Sequence, residues 1–95
     1  MKVKYRIWKY ELLVNDTQSV DMPVNAEILS VDSQRGTLFL WAMVDADGMK
    51  EKRVFEVIGT GNPVPQGMGT ERRFIGTVLM GPFAWHVFER TGGIR

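Results

Sequence analysis

The fold class is decided by three consecutive pieces of sequence: TLFLWAMV at residues 37–44, DADG at residues 45–48 and EKRVFEVIG at residues 51–59. The dipeptide Asp-Gly is a strong signal for a β-hairpin turn, so the flanking pieces are predicted to be antiparallel strands. Residues 51–59 alternate between two faces, as in a strand with one buried side. Residues 37–44 are apolar at consecutive positions, which predicts a central strand covered on both faces.

The rest of the chain shows the same period of two, and no segment sustains the i, i+3, i+4 spacing of an amphipathic helix. We therefore predict an all-β fold, a single domain over residues 1–95. Its architecture is expected to be an antiparallel β-sandwich or partly open barrel of about six or seven short strands.

The apolar positions change phase between Ile7 and Trp8, which predicts a β-bulge there. Residues 91–95 are predicted to form a flexible tail. The other strands are expected at residues 2–14, 19–22, 26–31, 72–80 and 84–89.

Composition narrows the chemistry of the protein. Its 95 residues carry a net charge of +1, which argues against a protein that coats DNA. Because it has no cysteine, disulfides, thiolate zinc sites and cysteine nucleophiles are excluded. A single histidine is too few for the common histidine-rich metal centres. We therefore predict that the protein is not an enzyme and has no catalytic residue, no metal site and no cofactor.

The sequence also predicts the compartment. The first residues alternate between basic and apolar side chains, unlike the charged and then apolar regions of a signal peptide. The uncharged stretch at residues 74–88 is interrupted by Gly76, Gly81 and Pro82, whereas a membrane helix needs about 20 continuous apolar residues. We expect a cytoplasmic protein with no membrane partner.

The longest predicted connection is GTGNPVPQGMGT at residues 59–70. Loops of about this length without structure of their own are uncommon in small domains and are often functional. Glycines let backbone N–H groups approach a ligand, so Thr60, Gly61 and Asn62 are candidate ligand contacts. Arg53 and Arg73 flank the loop in sequence and are candidates for binding phosphate. The alternative is that the loop only connects two strands.

Three further side chains are candidate ligand-binding residues. Trp8 and Tyr10 follow the predicted bulge, which would re-aim them to stack on a planar ligand such as a nucleobase. His86 can contact a ligand or act as a general base. Each also has a structural interpretation, as a core aromatic residue or as a hydrogen-bonded, half-buried histidine.

Several segments in order along nearly the whole chain carry a family resemblance: IWKY at 7–10, LWAMVD at 40–45, GTGNP at 59–63, FIGTV at 74–78 and WHVFE at 85–89. They resemble a family of small phage-encoded proteins, and the chain looks like the anti-CBASS nucleotide sponges of phages. The resemblance implies a protein that binds and sequesters a cyclic nucleotide immune signal in the host cytoplasm without cleaving it. The signal would be a cyclic dinucleotide or a cyclic ADP-ribose. No ligand contact is carried over from that family.

The residues leave other functions open. A protein–protein inhibitor of a host enzyme would use an exposed aromatic patch. A nucleic-acid-binding β protein would use Lys2, Lys4 and Arg6 together with the tryptophans. A hydrolase of a nucleotide signal would use His86 as its base.

Two kinds of partner are expected. One is a small anionic nucleotide, which suits the mild net charge better than a long nucleic acid does. The other is a second copy of the chain, because a domain of this size can hardly cover both faces of residues 37–44. We predict a homo-oligomer, a dimer or tetramer, with part of residues 37–44 or Trp8 and Tyr10 in its interface.

Overall fold

The computed structural model describes residues 3–14 and 16–92. Within them the regular structure is entirely β, with antiparallel strands and no helix, so the predicted fold class is confirmed. The structure is a small β-sandwich. Its strands are β1 (Tyr5–Leu12), β2 (Thr17–Pro23), β3 (Glu27–Gln34), β4 (Thr37–Asp45), β5 (Lys50–Gly59), β6 (Arg72–Met80) and β7 (Phe83–Arg90).

The strands form two packed sheets. Sheet A has the order β1-β4-β3, and sheet B has the order β2-β5-β7-β6. On one side of the sandwich the edge strands β3 and β6 pack against each other. They approach so closely there that a Cβ added at Gly76 would lie 3.0 Å from Val31 Cγ2. We call this contact the seam. On the opposite side, the edge strands β1 and β2 do not pack against each other in this way, so the sandwich is open there.

The apolar core lies between the sheets. In β4 every second side chain is buried, as the pleat of a strand packed on one face requires. Burying these side chains contributes roughly 1.5–3 kcal/mol for each large aliphatic or aromatic group. The core side chains are Leu12, Met22, Ala26, Leu38, Leu40, Ala42, Val44, Phe55, Val57, Val78 and Val87.

The first strand is regular. β1 pairs with β4 in one unbroken register from Tyr5 to Leu12, so the predicted bulge between Ile7 and Trp8 is wrong. The change of phase has another cause: Tyr5 and Ile7 lie on the outer face of sheet A, whereas Trp8 and Tyr10 lie on its inner face. This edge strand therefore carries large apolar side chains on both faces.

The bulges lie at the seam. The register of β3 against β4 shifts between Ile28 and Ser30, and that of β6 against β7 shifts between Phe74 and Gly76. A bulge bends its strand and leaves one residue out of the ladder. The two edge strands that approach each other are therefore both distorted beside the contact.

The strand covered on both faces is β5, not residues 37–44. All side chains from Phe55 to Gly59 are buried. Glu56 and Ile58 point away from the core, to the outer face of sheet B. The loop at residues 60–71 returns to this region, where Arg72 Nη2 donates a hydrogen bond to Pro65 O at 2.7 Å.

Thr91, the first residue of the predicted tail, is fixed by a hydrogen bond: its backbone N–H donates to Glu71 O at 2.9 Å. Residues 93–95 lie outside the described residues. In the part of the chain that the structure describes, no helix is long and apolar enough to cross a membrane.

Candidate functional site

The predicted ligand-binding residues do not form a single site. His86 and Glu89 are three positions apart on β7 and therefore point to opposite faces of sheet B. The candidates accordingly fall in three regions: Trp8 and Tyr10 on the inner face of sheet A; Arg53 and Arg73 beside Glu89; and Thr60, Gly61, Asn62 and His86 at the other end of sheet B.

Arg53 and Arg73 meet at one carboxylate. Glu89 lies directly opposite Phe55 of β5, so it is on the inner face of sheet B at the end of the core. Arg53 donates to Glu89 through Nε at 2.5 Å and Nη2 at 3.1 Å, and Arg73 donates through Nη2 at 2.7 Å. Arg53 Nη1 also donates to Ala26 O at 2.8 Å. We call Arg53, Arg73 and Glu89 the Glu89 cluster.

The two arginines of the Glu89 cluster differ in availability. The Arg53 side chain is 15% exposed and donates through all three of its nitrogens. The hydrogen bond to Glu89 raises the pKa of Arg53 against the opposing effect of burial. The Arg73 side chain is 61% exposed and, among the described residues, makes a hydrogen bond through Nη2 alone. Arg53 therefore holds the cluster together, and Arg73 presents N–H donors to solvent.

A cleft of about 320 Å³ lies on the seam side of the Glu89 cluster, lined by Arg53 and Arg73. It opens between β3 and β6 where both strands are bulged. Leu29 and Phe74 form exposed apolar parts of its wall. Backbone groups left out of a ladder by a bulge are available to a ligand. We call it the seam cleft.

A second cleft, of about 580 Å³, lies where β7 ends, and Arg53 and Arg73 line it too. Its other charged side chains include Lys52 and Arg90. Four cationic and two acidic side chains line it, which leaves an excess of two positive charges. The guanidinium of Arg90 forms an ion pair with Glu56 on the other face of the sheet. Arg73 is therefore the cation in this cleft that is most available to an anion.

Sequence reasoning missed a second cluster, formed by Glu56, Arg72 and Arg90, which we call the Glu56 cluster. The Glu56 side chain, 1% exposed, accepts a hydrogen bond from Arg72 Nε at 2.6 Å and forms an ion pair with Arg90 Nη2 at 2.5 Å. Burial alone would raise the pKa of Glu56, but the two arginines outweigh it and the pKa is lowered. Among the described residues Arg90 Nε is buried without a hydrogen-bond partner. The sequence contains one signal for this cluster, because Glu56 lies between Phe55 and Val57 in an otherwise apolar run.

His86 is held by two threonines on the outer face of sheet B. Its Nε2 is 2.8 Å from Thr60 Oγ1, and its Nδ1 is 3.0 Å from Thr77 Oγ1. Both ring nitrogens are therefore engaged by neutral hydroxyls. This is the hydrogen-bonded, half-buried histidine of the structural interpretation.

The start of the long loop packs against Trp85. A Cβ added at Gly59 would lie 2.9 Å from Trp85 Cζ3 and 2.9 Å from Asn62 Nδ2. Asn62 N donates to Gly59 O at 3.0 Å, and Gly61 has a φ of 89°. The small pocket here, about 230 Å³, is lined by Thr60, Asn62 and aromatic side chains but by no arginine. It could hold a small planar group and offers no charge to a phosphate.

Trp8 and Tyr10 pack against the core from the inner face of sheet A and are half-buried. Lys50 Nζ lies 5.9 Å from the centroid of the Trp8 ring. The hydroxyl of Tyr10 is buried and has no hydrogen-bond partner among the described residues, and burial raises the pKa of Tyr10. Because β1 is not bulged, the physical reason for expecting these rings to face a ligand is gone.

The outer face of sheet A carries exposed apolar side chains. Ile7 lies directly opposite Met43. Trp41, two positions before Met43 in β4, lies on the same face. Ile7 is 61% exposed, and Leu29 adds a 42% exposed side chain at the edge of the face. Phe39 is shielded, because Lys9 Nζ lies 4.4 Å from its ring centroid.

A family model described as a domain of unknown function, DUF7352, matches residues 3–94. The chain belongs to the DUF7352 family. The match spans both sheets, so the Glu89 cluster, its two clefts and the Glu56 cluster all lie within the DUF7352 domain. No curated protein and no solved structure matches the chain.

Proposed function

We propose that this DUF7352 domain is a non-catalytic binding protein that sequesters a small anionic nucleotide at the Glu89 cluster. The observation that carries the proposal is Arg73, an exposed guanidinium fixed by a nearly buried carboxylate at the junction of two clefts. A guanidinium held in place by one hydrogen bond loses little freedom when it forms others, and it matches the geometry of a phosphate.

The proposed ligand is a cyclic nucleotide signal of the cyclic dinucleotide or cyclic ADP-ribose type. Such molecules combine two phosphates with planar rings. Arg73 can bind one phosphate, and Lys52, whose ion pair with Asp21 is exposed and therefore weak, lines the same cleft and can bind the second. Leu29, 42% exposed in the wall of the seam cleft, offers an apolar surface against which a planar ring can pack. The proposed biological role, which rests on the family resemblance, is immune evasion by a phage in the host cytoplasm.

The absence of turnover is part of the proposal. The nucleotide would lie beside arginines, which bind phosphate but are too basic to serve as a general base at neutral pH. His86 lies on the other face of sheet B, between Thr60 and Thr77, and no carboxylate of the described residues orients its ring. We therefore expect the ligand to be released unchanged.

Calorimetric titration of the protein with cyclic di-AMP, cyclic di-GMP, 3′,3′-cyclic GMP-AMP and a cyclic ADP-ribose isomer tests the proposal. Arg73→Ala should weaken binding about ten- to a hundredfold, because a hydrogen bond to a charged group contributes roughly 1.5–3 kcal/mol. Arg6→Ala, which removes the same charge from an exposed position on β1, is the matched control and should bind as the parent protein does.

Chromatography of nucleotide recovered from the denatured complex completes the test. Intact nucleotide supports sequestration, and a linear product overturns the non-catalytic part of the proposal. If none of the four nucleotides binds the parent protein, or if Arg73→Ala and Arg6→Ala bind alike, the proposed site is wrong.

A second candidate function is favoured by the outer face of sheet A. Its exposed side chains Ile7 and Leu29, together with the half-buried Trp41, form the kind of apolar patch that protein partners bind. On this alternative the domain inhibits a host protein. Ile7→Lys, on the edge strand β1 at the side of the patch, should then abolish inhibition while leaving nucleotide binding unchanged.

We also propose that the functional unit is a homo-oligomer. β1 and β2 leave one side of the sandwich open, and a domain of this size gains stability from association.

A further inference from the structure

We propose that two copies of this chain associate through the free edge of β1, so that the three-stranded sheets A of both copies join into one continuous sheet. This inference rests on the proposed self-association and is independent of any nucleotide. Its carrying observation is that Tyr5–Leu12 is a straight edge strand with no bulge, glycine or proline.

Of the four sheet edges, β1 is the one best suited to pair with another strand. β3 and β6 pack against each other at the seam and are bulged. β2 ends at Pro23, whose nitrogen cannot donate a hydrogen bond. The far edge of β1 keeps a row of unpaired N–H and C=O groups, which is a template for a further strand.

Side chains on both faces of β1 favour its pairing. Tyr5 and Ile7 on the outer face are 63% and 61% exposed, and Trp8 and Tyr10 on the inner face are only half-buried. A strand added at this edge would cover apolar surface on both sides of the sheet. β1 also carries the exposed charges of Arg6, Lys9 and Glu11, so a strand that pairs with it has to match these charges.

The charges on β1 point to a second copy as the partner strand. In an antiparallel pair of identical strands with Tyr10 on the two-fold axis, Lys9 of each copy lies directly opposite Glu11 of the other. Registers shifted by two residues place Lys9 against Lys9 or Glu11 against Glu11, which is destabilising. Lys9 would exchange its hydrogen bond to the neutral amide oxygen Gln34 Oε1 for an ion pair with a carboxylate. The sequence of β1 is thus complementary to itself in one register.

Cysteine cross-linking tests both the edge and the register, because the parent chain has no cysteine. Cβ atoms of directly opposite residues are about 4.5–5.5 Å apart, within reach of a disulfide after small adjustment. Under mild oxidation a mixture of Lys9→Cys and Glu11→Cys chains should form a covalent dimer. Neither variant should do so alone. Ser19→Cys, exposed on the other open edge, is the control and should stay uncross-linked.

Sedimentation equilibrium supplies the second measurement. Glu11→Lys should raise the dimer dissociation constant roughly tenfold or more, since two attractive pairs become repulsive. The charge-swapped variant K9E/E11K should recover most of that loss. A parent protein that is monomeric at micromolar concentration overturns self-association altogether. A dimer whose dissociation constant is unchanged by both substitutions, and which the cysteine pair does not cross-link, overturns the β1 interface but not self-association. Neither result bears on nucleotide binding at Arg73.

Discussion

Replacing Glu56 by glutamine measures how much the buried charge cluster on the outer face of sheet B stabilises the fold. The substitution keeps the size of the side chain and removes its charge. Arg72 and Arg90 would then lose their shared counter-charge while only 16% of each side chain is exposed. Breaking a buried ion pair from one side costs about 3–5 kcal/mol. Because both arginines keep some contact with water, we expect a loss of about 2–4 kcal/mol.

Urea denaturation at pH 7, followed by tryptophan fluorescence, is the assay. A loss of this size is a large part of the stability of a small domain, which is about 5–15 kcal/mol. The matched control is Asp21→Asn, which removes a carboxylate from the exposed pair with Lys52 and should cost less than about 1 kcal/mol. Equal losses in the two variants would refute the reasoning.

The pH dependence of stability supplies an independent check. The pKa of Glu56 is lower in the folded protein than its ordinary value. The unfolded chain therefore binds the proton first, so the contribution of Glu56 is present above the ordinary pKa and is lost as the pH falls through the folded pKa. Between pH 5 and strongly acidic solution, Glu56→Gln should lose less stability than the parent protein. Parallel losses would show that the carboxylate is not responsible.

Two further substitutions test the packing. Gly59→Ala should destabilise the protein by roughly 1–3 kcal/mol, because its new Cβ would lie 2.9 Å from the Trp85 ring, and a thermal melt measures the loss. Leu40→Ala should cost about 2–5 kcal/mol in the same experiment, as a fully buried core residue. Leu79→Ala, at a side chain 74% exposed, should change stability by less than about 0.5 kcal/mol.

The strands could be predicted from local sequence because their signals are local. The turn after residue 45 and the strand over residues 51–59 both appear in the structure. The predicted β-hairpin is wrong, because β4 lies in sheet A and β5 in sheet B, so the turn connects the two sheets. The prediction of one buried face for residues 51–59 is also wrong, because residues 55–59 are buried on both faces. The phase of β1 was misinterpreted because Ile7 and Trp8 are both apolar. An edge strand with two apolar faces gives the same pattern as a bulge in a strand with one.

The charge clusters could be predicted only in part. Arg53 or Arg73 was expected to bind phosphate, but their common partner Glu89 was not foreseen, since nothing in the sequence specifies which strand lies between β5 and β6. That strand is β7, and its position determines both clusters. Glu56 and Glu89 belong to neighbouring strands of one sheet, and the pleat sends them to opposite faces.

The position of β7 also constrains the order in which the chain can fold as it leaves the ribosome. All three strands of sheet A lie within the first half of the sequence, and its hairpin of β3 and β4 needs only a local turn. Sheet B is different, because β6 has no neighbour in its sheet until β7, made last, inserts between β5 and β6. β6 and β7 are joined by a short turn and pair locally, but β7 must also pair with β5 across the loop at residues 60–71. Pairings between segments far apart in sequence form slowly, and strands waiting for them are exposed meanwhile. The nascent chain must therefore carry an unpaired β6 until its final strand emerges.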